Sequence, residues 1–552
     1  MHKGTQWLAL AALGLLVACG PAETSEAPAP SPIGTTVAVT GGTVQGFVGE
    51  DGLKQYHRIP YAAAPTGARR WAPPAAVEPW DGVRDATAPG PKCVQPAGQG
   101  GSFYGDADFE VSEDCLVLNV WTRAAHEDEG LPVMVWIHGG ALVTGAGSDY
   151  PGELLSSKGV VLVTANYRLG PFGFFALPEL SAESPAGVSG NQGIRDQVAA
   201  LEWVRDNIAR FGGDPGNVTI FGESAGALSM SLLQASPLAR GLFHRVIGQS
   251  GGAFQPMAFR DRMTSYGPSV ESRGQEIATA LAGEDGDDSL AGLRALSAEH
   301  VLAVYEANPA LWDYGSLAIV DGEVVPDEVA TIFAEGRQAD VPVMIGSTAD
   351  EGTTLHEFIV PPFGEGAAGF EAYANAVLPE AGDALAALYP SGTDDEAHAS
   401  GEALLADVLF TAPMRLWARA MEDVESDAYL YWFTWAPPIE EAERYGAFHA
   451  AEIGYVFGNL DLFGAVPVGD DRAFSDLMAT IWTQFARSGN PNGDGLPAWP
   501  AYTGENEAYM ELGVDTGAKS HIRVEEVALI AGAWDERRET EGRSHHRPDA
   551  AE

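Results

Sequence analysis

The chain is short of positive charge and of cysteine, and each shortage narrows what it can do. Lys and Arg number 31 against 77 Asp and Glu, a formal net charge of −46 over 552 residues. A surface of that sign repels phosphate, which argues against nucleic acid or anionic lipid as a direct partner. So much acid reads as a solvated, soluble exterior. The acidic runs Glu284-Asp285-Gly286-Asp287-Asp288 and Asp394-Asp395-Glu396 lack calcium-loop spacing and are expected in exposed loops. No internal repeat recurs, which excludes a solenoid. No long linker follows residue 36, so the length is read as one large domain, and 45% apolar residues supply its core. Cysteines number three. No histidine cluster accompanies them, which argues against a metal site; His545-His546 lie in a polar tail.

What is present begins with an N-terminus set apart from the fold. Lys3 precedes an apolar run from Trp7 to Ala18, short for a bilayer span. It ends in Leu16-Val17-Ala18-Cys19, which resembles a bacterial lipobox. Residues 1–18 are therefore expected to be a signal peptide, with Cys19 lipidated. Gly20, rather than aspartate, follows that cysteine and favours the outer membrane, so the protein is expected to be exported to the cell envelope, as an outer-membrane lipoprotein or in the periplasm. Pro21 to Ser31 has the composition of a tether, placed at 19–36. A globular domain is expected over 37–540 and a polar tail over 541–552. Setting Cys19 aside leaves Cys93 and Cys115, and an oxidising compartment predicts a disulfide between them. It closes a loop worth about 3 kcal/mol in the chain-entropy picture.

The centre of the chain carries the chemistry. Asn217-Val-Thr-Ile-Phe221 reads as a buried strand and Ala227-Leu-Ser-Met-Ser-Leu-Leu233 as the start of a helix. Between them stands Gly222-Glu223-Ser224-Ala225-Gly226. Strand, tight turn and helix around Gly-x-Ser-x-Gly make a nucleophile elbow, with Ser224 presented on a strained turn. A serine hydroxyl needs a base, an acid to orient that base, and donors for the oxyanion. Leu131-Pro-Val-Met-Val-Trp-Ile137 reads as a central strand ending in His138-Gly139-Gly140-Ala141-Leu142. The backbone N–H groups of Gly140, Ala141 and Ala225 are the candidate donors. For the acid, the strand-like Val341 to Ala349 leads into Asp350-Glu351-Gly352, and either carboxylate serves on chemistry alone; Asp321, in a turn, is a third candidate. Eight histidines lie downstream of Ser224. His449 follows the strand-like Ala428 to Trp435 and a loop that can reach the elbow. His244 precedes a strand and His521 leads a strand-like run.

Taken together, these residues resemble the type-B carboxylesterase family, the cholinesterase-like α/β-hydrolases, from about residue 35 to about residue 515. Ile59-Pro60-Tyr61-Ala62 with Arg69-Arg70-Trp71, Glu113-Asp114-Cys115-Leu116, Asn166-Tyr167-Arg168-Leu169-Gly170 and Phe211-Gly212-Gly213-Asp214-Pro215 all follow its pattern, as does Phe485-Ala486-Arg487-Ser488-Gly489-Asn490-Pro491. Val117 stands where an aromatic residue is usual. The resemblance implies an α/β-hydrolase fold, with a large, mostly parallel sheet covered by helices on both faces. It implies Ser224 as nucleophile, Glu351 rather than Asp350 as acid, His449 as base, Gly140, Ala141 and Ala225 as oxyanion donors, and a Cys93–Cys115 disulfide. It implies hydrolysis of a small-molecule carboxylic ester through an acyl-enzyme, without cofactor or metal. A histidine base predicts activity rising through an apparent pKa of roughly 6–7. Carbamate, lactone, polyester and natural-product esters share that chemistry. Neuroligin-type members bind rather than catalyse after losing the triad, and here all three residues are present. The cholinesterase branch carries a tryptophan in the disulfide loop; here that loop holds Phe103, Tyr104 and Phe109 and no tryptophan, which predicts a preference for uncharged short-to-medium acyl esters.

Overall fold

The computed structural model describes Met1 and residues 31–97, 109–284, 286–313 and 315–543. Cys19, Phe103, Tyr104 and His545-His546 lie outside the described residues. Among the described residues no helix is long and apolar enough to cross a membrane.

An eleven-stranded sheet forms the frame. Its strands in chain order are β1 (Phe47–Val48), β2 (Lys54–Pro60), β3 (Val117–Thr122), β4 (Leu131–Ile137), β5 (Val161–Ala165), β6 (Gly213–Glu223), β7 (Arg245–Gln249), β8 (Val343–Thr348), β9 (Ala428–Phe433), β10 (Ala508–Leu512) and β11 (Gly517–Ser520). Across the sheet they run β11-β10-β9-β8-β7-β6-β4-β5-β3-β2-β1. Strands β4 to β10 are parallel to one another, and antiparallel strands finish both edges. The sequence explains the division. β4 reads Leu-Pro-Val-Met-Val-Trp-Ile, without polar residues, because helices cover both of its faces. Alternate residues feed opposite cores: Val133, Val135 and Ile137 join one, Met134 and Trp136 the other.

The helices needed below are α1 (Gln192–Asn207), α2 (Ala225–Ala235), α3 (Val329–Ala334), α4 (Gly352–Ile359), α5 (Asp394–Ala406), α6 (Ala412–Ala420), α7 (Ile453–Phe457), α8 (Gly469–Ser488) and α9 (Val524–Thr540). Asp394-Asp395-Glu396 proves to be the first turn of α5 rather than a loop. Thr393 and Glu396 form a reciprocal capping box there, and acid favours a helix N-terminus. The run after His521 is also corrected. It is helix α9, because Val527, Ile530 and Trp534 recur at helical spacing and are all buried. His521 is a joint with φ +65° between β11 and that helix.

Charged residues tie the periphery to this frame. Arg168 grips Asp196 of α1 through two guanidinium bonds of 2.7 Å, both side chains buried. The C-terminal helix is held by Arg537 on Glu380 and Arg538 on Glu328, with Arg543 beyond its end also on Glu328. Arg523, just before α9, pairs with Asp407. Between α5 and α6, residues Asp407–Thr411 form a π-helical turn, a feature frequent at functional sites.

Candidate active site

Register brings the candidate residues to one end of the parallel strands. Gly222 of β6 pairs with Ile137 of β4, and Glu223 with Gln249 of β7. The loops after β4, β6, β8 and β9 therefore leave the carboxyl ends of neighbouring parallel strands, where open α/β sheets place ligands.

Ser224 sits between β6 and α2 at φ +56°, ψ −121°, a conformation costly for a residue with a side chain. Its N–H donates to the Gln249 carbonyl at 2.8 Å. The motif glycines are required by contact. A Cβ on Gly226 would lie 2.1 Å from the Ile137 carbonyl oxygen, and one on Gly222 2.6 Å from the same atom. Only glycine lets α2 and β6 close on β4 here.

The loop after β4 turns through three successive left-handed residues, Gly140 (φ +93°), Ala141 (φ +56°) and Leu142 (φ +62°). The Gly140 carbonyl accepts from Val143 N–H (2.8 Å) and Thr144 N–H (2.9 Å), closing a tight turn. Among the described residues no backbone acceptor takes the N–H groups of Gly140 or Ala141. Ala225 N–H opens helix α2, where the first amides have no intrahelical acceptor. The loop approaches the serine turn at Gly139, where a Cβ would lie 3.1 Å from Ser224 Cβ. His138, the residue before the glycines, is buried beneath them. Its ring stacks on Tyr167 at 4.4 Å, and its carbonyl accepts from the Tyr167 hydroxyl at 2.9 Å. Burial lowers its pKa to about 4, so the ring stays neutral.

The choice between adjacent carboxylates is settled by where each points. Glu351 is fully buried and accepts from His449 Nδ1 at 2.6 Å and from Thr348 N–H at 2.8 Å. Asp350 turns the other way and holds the loop that carries the histidine. It accepts from Ala447 N–H at 2.8 Å, while its own N–H donates to the Ala447 carbonyl at 3.0 Å. Asp321, the third candidate, is spent in its own turn, accepting from Glu323 and Val325 N–H. His244 lies at the opposite end of its strand, accepting from Val218 N–H at 3.2 Å.

Three features here were not singled out from sequence. Glu223, inside the motif itself, places Oε1 3.2 Å from His449 Nε2, at ion-pair distance but without hydrogen-bond geometry. Glu452, three residues after the histidine, is buried and accepts from Gln249 Nε2 at 3.0 Å. Phe410, on the π-helical turn, stacks on the His449 ring at 4.4 Å. The Gly-x-Ser-x-Gly spacing carried the first, since its second position stands between strand and elbow. The other two had no local signal.

The acids set the electrostatics. Burial pushes Glu223 well above the usual carboxylate range and carries Glu452 up to about 7. Burial alone would lower the His449 pKa, but the carboxylates of Glu223 and Glu351 outweigh it and raise it to about 9. The arrangement is therefore a serine on a strained turn, the free amides of a helix start after it, and an imidazole anchored at Nδ1 by a buried carboxylate. Such a set can activate a hydroxyl and hold a developing oxyanion. The disulfide is formed, with Cys93 and Cys115 Cα atoms 5.0 Å apart. In its loop, Phe109 lies under the Lys92 ammonium, 4.6 Å from ring centroid to nitrogen. No metal-binding group of His, Cys, Asp or Glu occurs among the described residues.

Comparison with known proteins agrees with this geometry. The carboxylesterase family profile matches residues 34–530. The liver carboxylesterase of Sus scrofa is 36% identical over 521 residues, covering 88% of this chain and 90% of that protein. The fumonisin B1 esterase of Sphingopyxis macrogoltabida is 35% identical over 494 residues, covering 88% and 87%. A solved thermophilic PNB esterase superposes with a TM-score of 0.77 at 34% identity, covering 90% of this chain and 99% of that one. The chain thus belongs to the carboxylesterase family, has the α/β-hydrolase fold, and is a carboxylic ester hydrolase.

Proposed function

We propose that the protein hydrolyses uncharged esters of short-to-medium acyl chains through an acyl-enzyme on Ser224. The observation that carries this reading is the 2.6 Å bond from His449 Nδ1 to buried Glu351, with the other ring nitrogen 3.2 Å from Glu223, the residue before the strained Ser224. His449 Nε2 takes the Ser224 proton as Oγ attacks the ester carbonyl carbon. The carbonyl oxygen becomes an alkoxide held by the N–H groups of Gly140, Ala141 and Ala225. Collapse expels the alcohol, protonated by His449. Water, deprotonated by the same imidazole, then attacks the acyl group, and the acid leaves with Ser224 restored.

A base must be neutral to accept a proton. The sequence leads to an acidic limb near roughly pH 6–7. The buried carboxylates around His449 raise its pKa above the ordinary 6.5, to about 9, and so displace the limb upward. Glu223→Gln removes a carboxyl whose ionised form raises that pKa, so the limb of kcat/KM should move to lower pH. Profiles from pH 5 to 10 for both proteins check this; superimposable limbs would remove Glu223 from the account.

Choice of alcohol follows from the disulfide loop. Cation–π attraction reaches about 2 kcal/mol on a desolvated tryptophan, roughly thirtyfold in affinity. The loop has no tryptophan, and Phe109 is already covered by Lys92. The charge of −46 draws cations, but salt screens that field within about 8 Å. Butyrylcholine and an uncharged butyrate ester of matched leaving group should be compared by kcat/KM at physiological salt. The uncharged ester should win; a tenfold preference for the choline ester would overturn the reading. The fumonisin B1 esterase, at 35% identity against 36% for the liver enzyme, favours a second reading, hydrolysis of one specialised ester.

A further inference from the structure

The disulfide and the oxyanion loop are far apart in sequence but share one side chain. Gln95 stands two residues after Cys93 and is buried, with 4% of its surface exposed. Its carboxamide closes a reciprocal pair with Gly145, at the far end of the loop that begins at Gly139. Gly145 N–H donates to Gln95 Oε1 at 2.9 Å, and Gln95 Nε2 donates to the Gly145 carbonyl at 2.9 Å. The same Nε2 also donates to the Cys93 carbonyl at 3.0 Å. That last bond fixes the side chain against the backbone of the cystine itself.

Gly145 is where the loop needs holding. It has φ +105°, and a Cβ there would lie 2.4 Å from His138 Nδ1. It therefore packs flat on the histidine that underlies Gly139 and Gly140. At its other end the loop is anchored by β4. Between the two anchors run three left-handed residues, two of them non-glycine. The two non-glycine residues each resist that conformation by about 1–3 kcal/mol, so the segment relaxes unless its ends are fixed. The Gly170 N–H bond to the Leu142 carbonyl, at 2.7 Å, supports the middle. Gln95 supports the end.

We propose that Gln95 is a positioning residue for ester hydrolysis: it clamps Gly145, and through it the N–H groups of Gly140 and Ala141, and it draws its own rigidity from the Cys93–Cys115 bond. This rests on the reading of those N–H groups as the oxyanion donors. The clamp acts on the transition state rather than on substrate binding, because the amides matter most when the carbonyl oxygen carries charge. Misplacing a catalytic group by about 1 Å can cost on the order of 10² in rate.

Gln95→Leu removes the clamp at near-constant volume. The expected result is a kcat lower by about 10–100-fold with KM within about threefold. A thionoester reports on the donors specifically, since sulfur accepts hydrogen bonds weakly. The ratio of ester to thionoester kcat/KM should fall by about the same factor as kcat, and amide hydrogen exchange over residues 138–147 should quicken. The Cys93→Ala/Cys115→Ala variant should show the same signature in weaker form. If Gln95→Leu fails to fold, Gln95→Glu, which keeps an acceptor for Gly145 N–H, carries the comparison. Unchanged kinetics with unchanged exchange would overturn the clamp. Faster exchange with an unchanged ester-to-thionoester ratio would leave a real clamp on a loop that is not the oxyanion site, overturning the donor assignment and this inference with it.

Discussion

Ser224→Ala is expected to lower kcat by about 10⁶ while the protein stays folded. The size follows from the way nucleophile, base and acid work as a unit, so that removing one forfeits nearly the whole covalent pathway. The fold should survive because the turn is fixed by backbone. Ser224 N–H bonds to Gln249, its carbonyl accepts from Leu228 N–H at 2.9 Å, and the two glycines admit the close approach to Ile137. Nothing in that set uses the hydroxyl. Stability should change by no more than about 0.5 kcal/mol. His449→Ala should match it in rate. Hydrolysis of a p-nitrophenyl ester by each purified variant, with a thermal melt alongside, is the measurement; near-native turnover in either would end the assignment of Ser224 and His449.

The second large effect separates two neighbours that composition cannot tell apart. Glu351→Gln keeps the shape and removes the charge. An amide nitrogen facing Nδ1 would favour the wrong imidazole tautomer, and nothing would then stabilise the imidazolium. The loss expected in kcat is about 10⁴. Asp350→Asn should cost less than tenfold, since its side-chain oxygen can still accept from Ala447 N–H, the bond the aspartate makes at 2.8 Å. Equal losses for the two variants would contradict the division of labour seen in the structure.

How far the sequence could be read depended on whether a feature was local. β4, β6, β8 and β9 were legible because their apolar runs stand out without reference to partners. The elbow was legible because strand, glycines and serine are contiguous. The acid was not. Asp350 and Glu351 are adjacent, and only the direction each side chain takes after β8 distinguishes them. His449 was one of eight downstream histidines, and its partner lies 98 residues earlier. Family resemblance, not spacing, selected both. Phe410 and Glu452 reach the imidazole through tertiary packing, which leaves no mark in a window of sequence. The error after His521 had a different origin. Ile522-Arg523-Val524 looks strand-like over a short window, and the buried spacing of Val527, Ile530 and Trp534 appears only over a longer one. The capping box at Thr393 and Glu396 is written in the chain as Thr-x-x-Glu, but the same acidic composition also suits an exposed loop.

The pairing of Arg523 with Asp407 bears on when the enzyme becomes active during its synthesis. Asp407 opens the π-helical turn whose Phe410 lies on the His449 ring. The cation paired with this turn stands just before α9, the last helix among the described residues. At about 5–20 residues per second, the ribosome delivers Arg523 roughly 4–15 s after His449. During that interval serine, glutamate and histidine have all been made, while the surface that seats the imidazole is still missing its counter-charge. A polypeptide stalled or clipped before Arg523 would contain every residue of the proposed chemistry and lack the ion pair at the turn that carries Phe410.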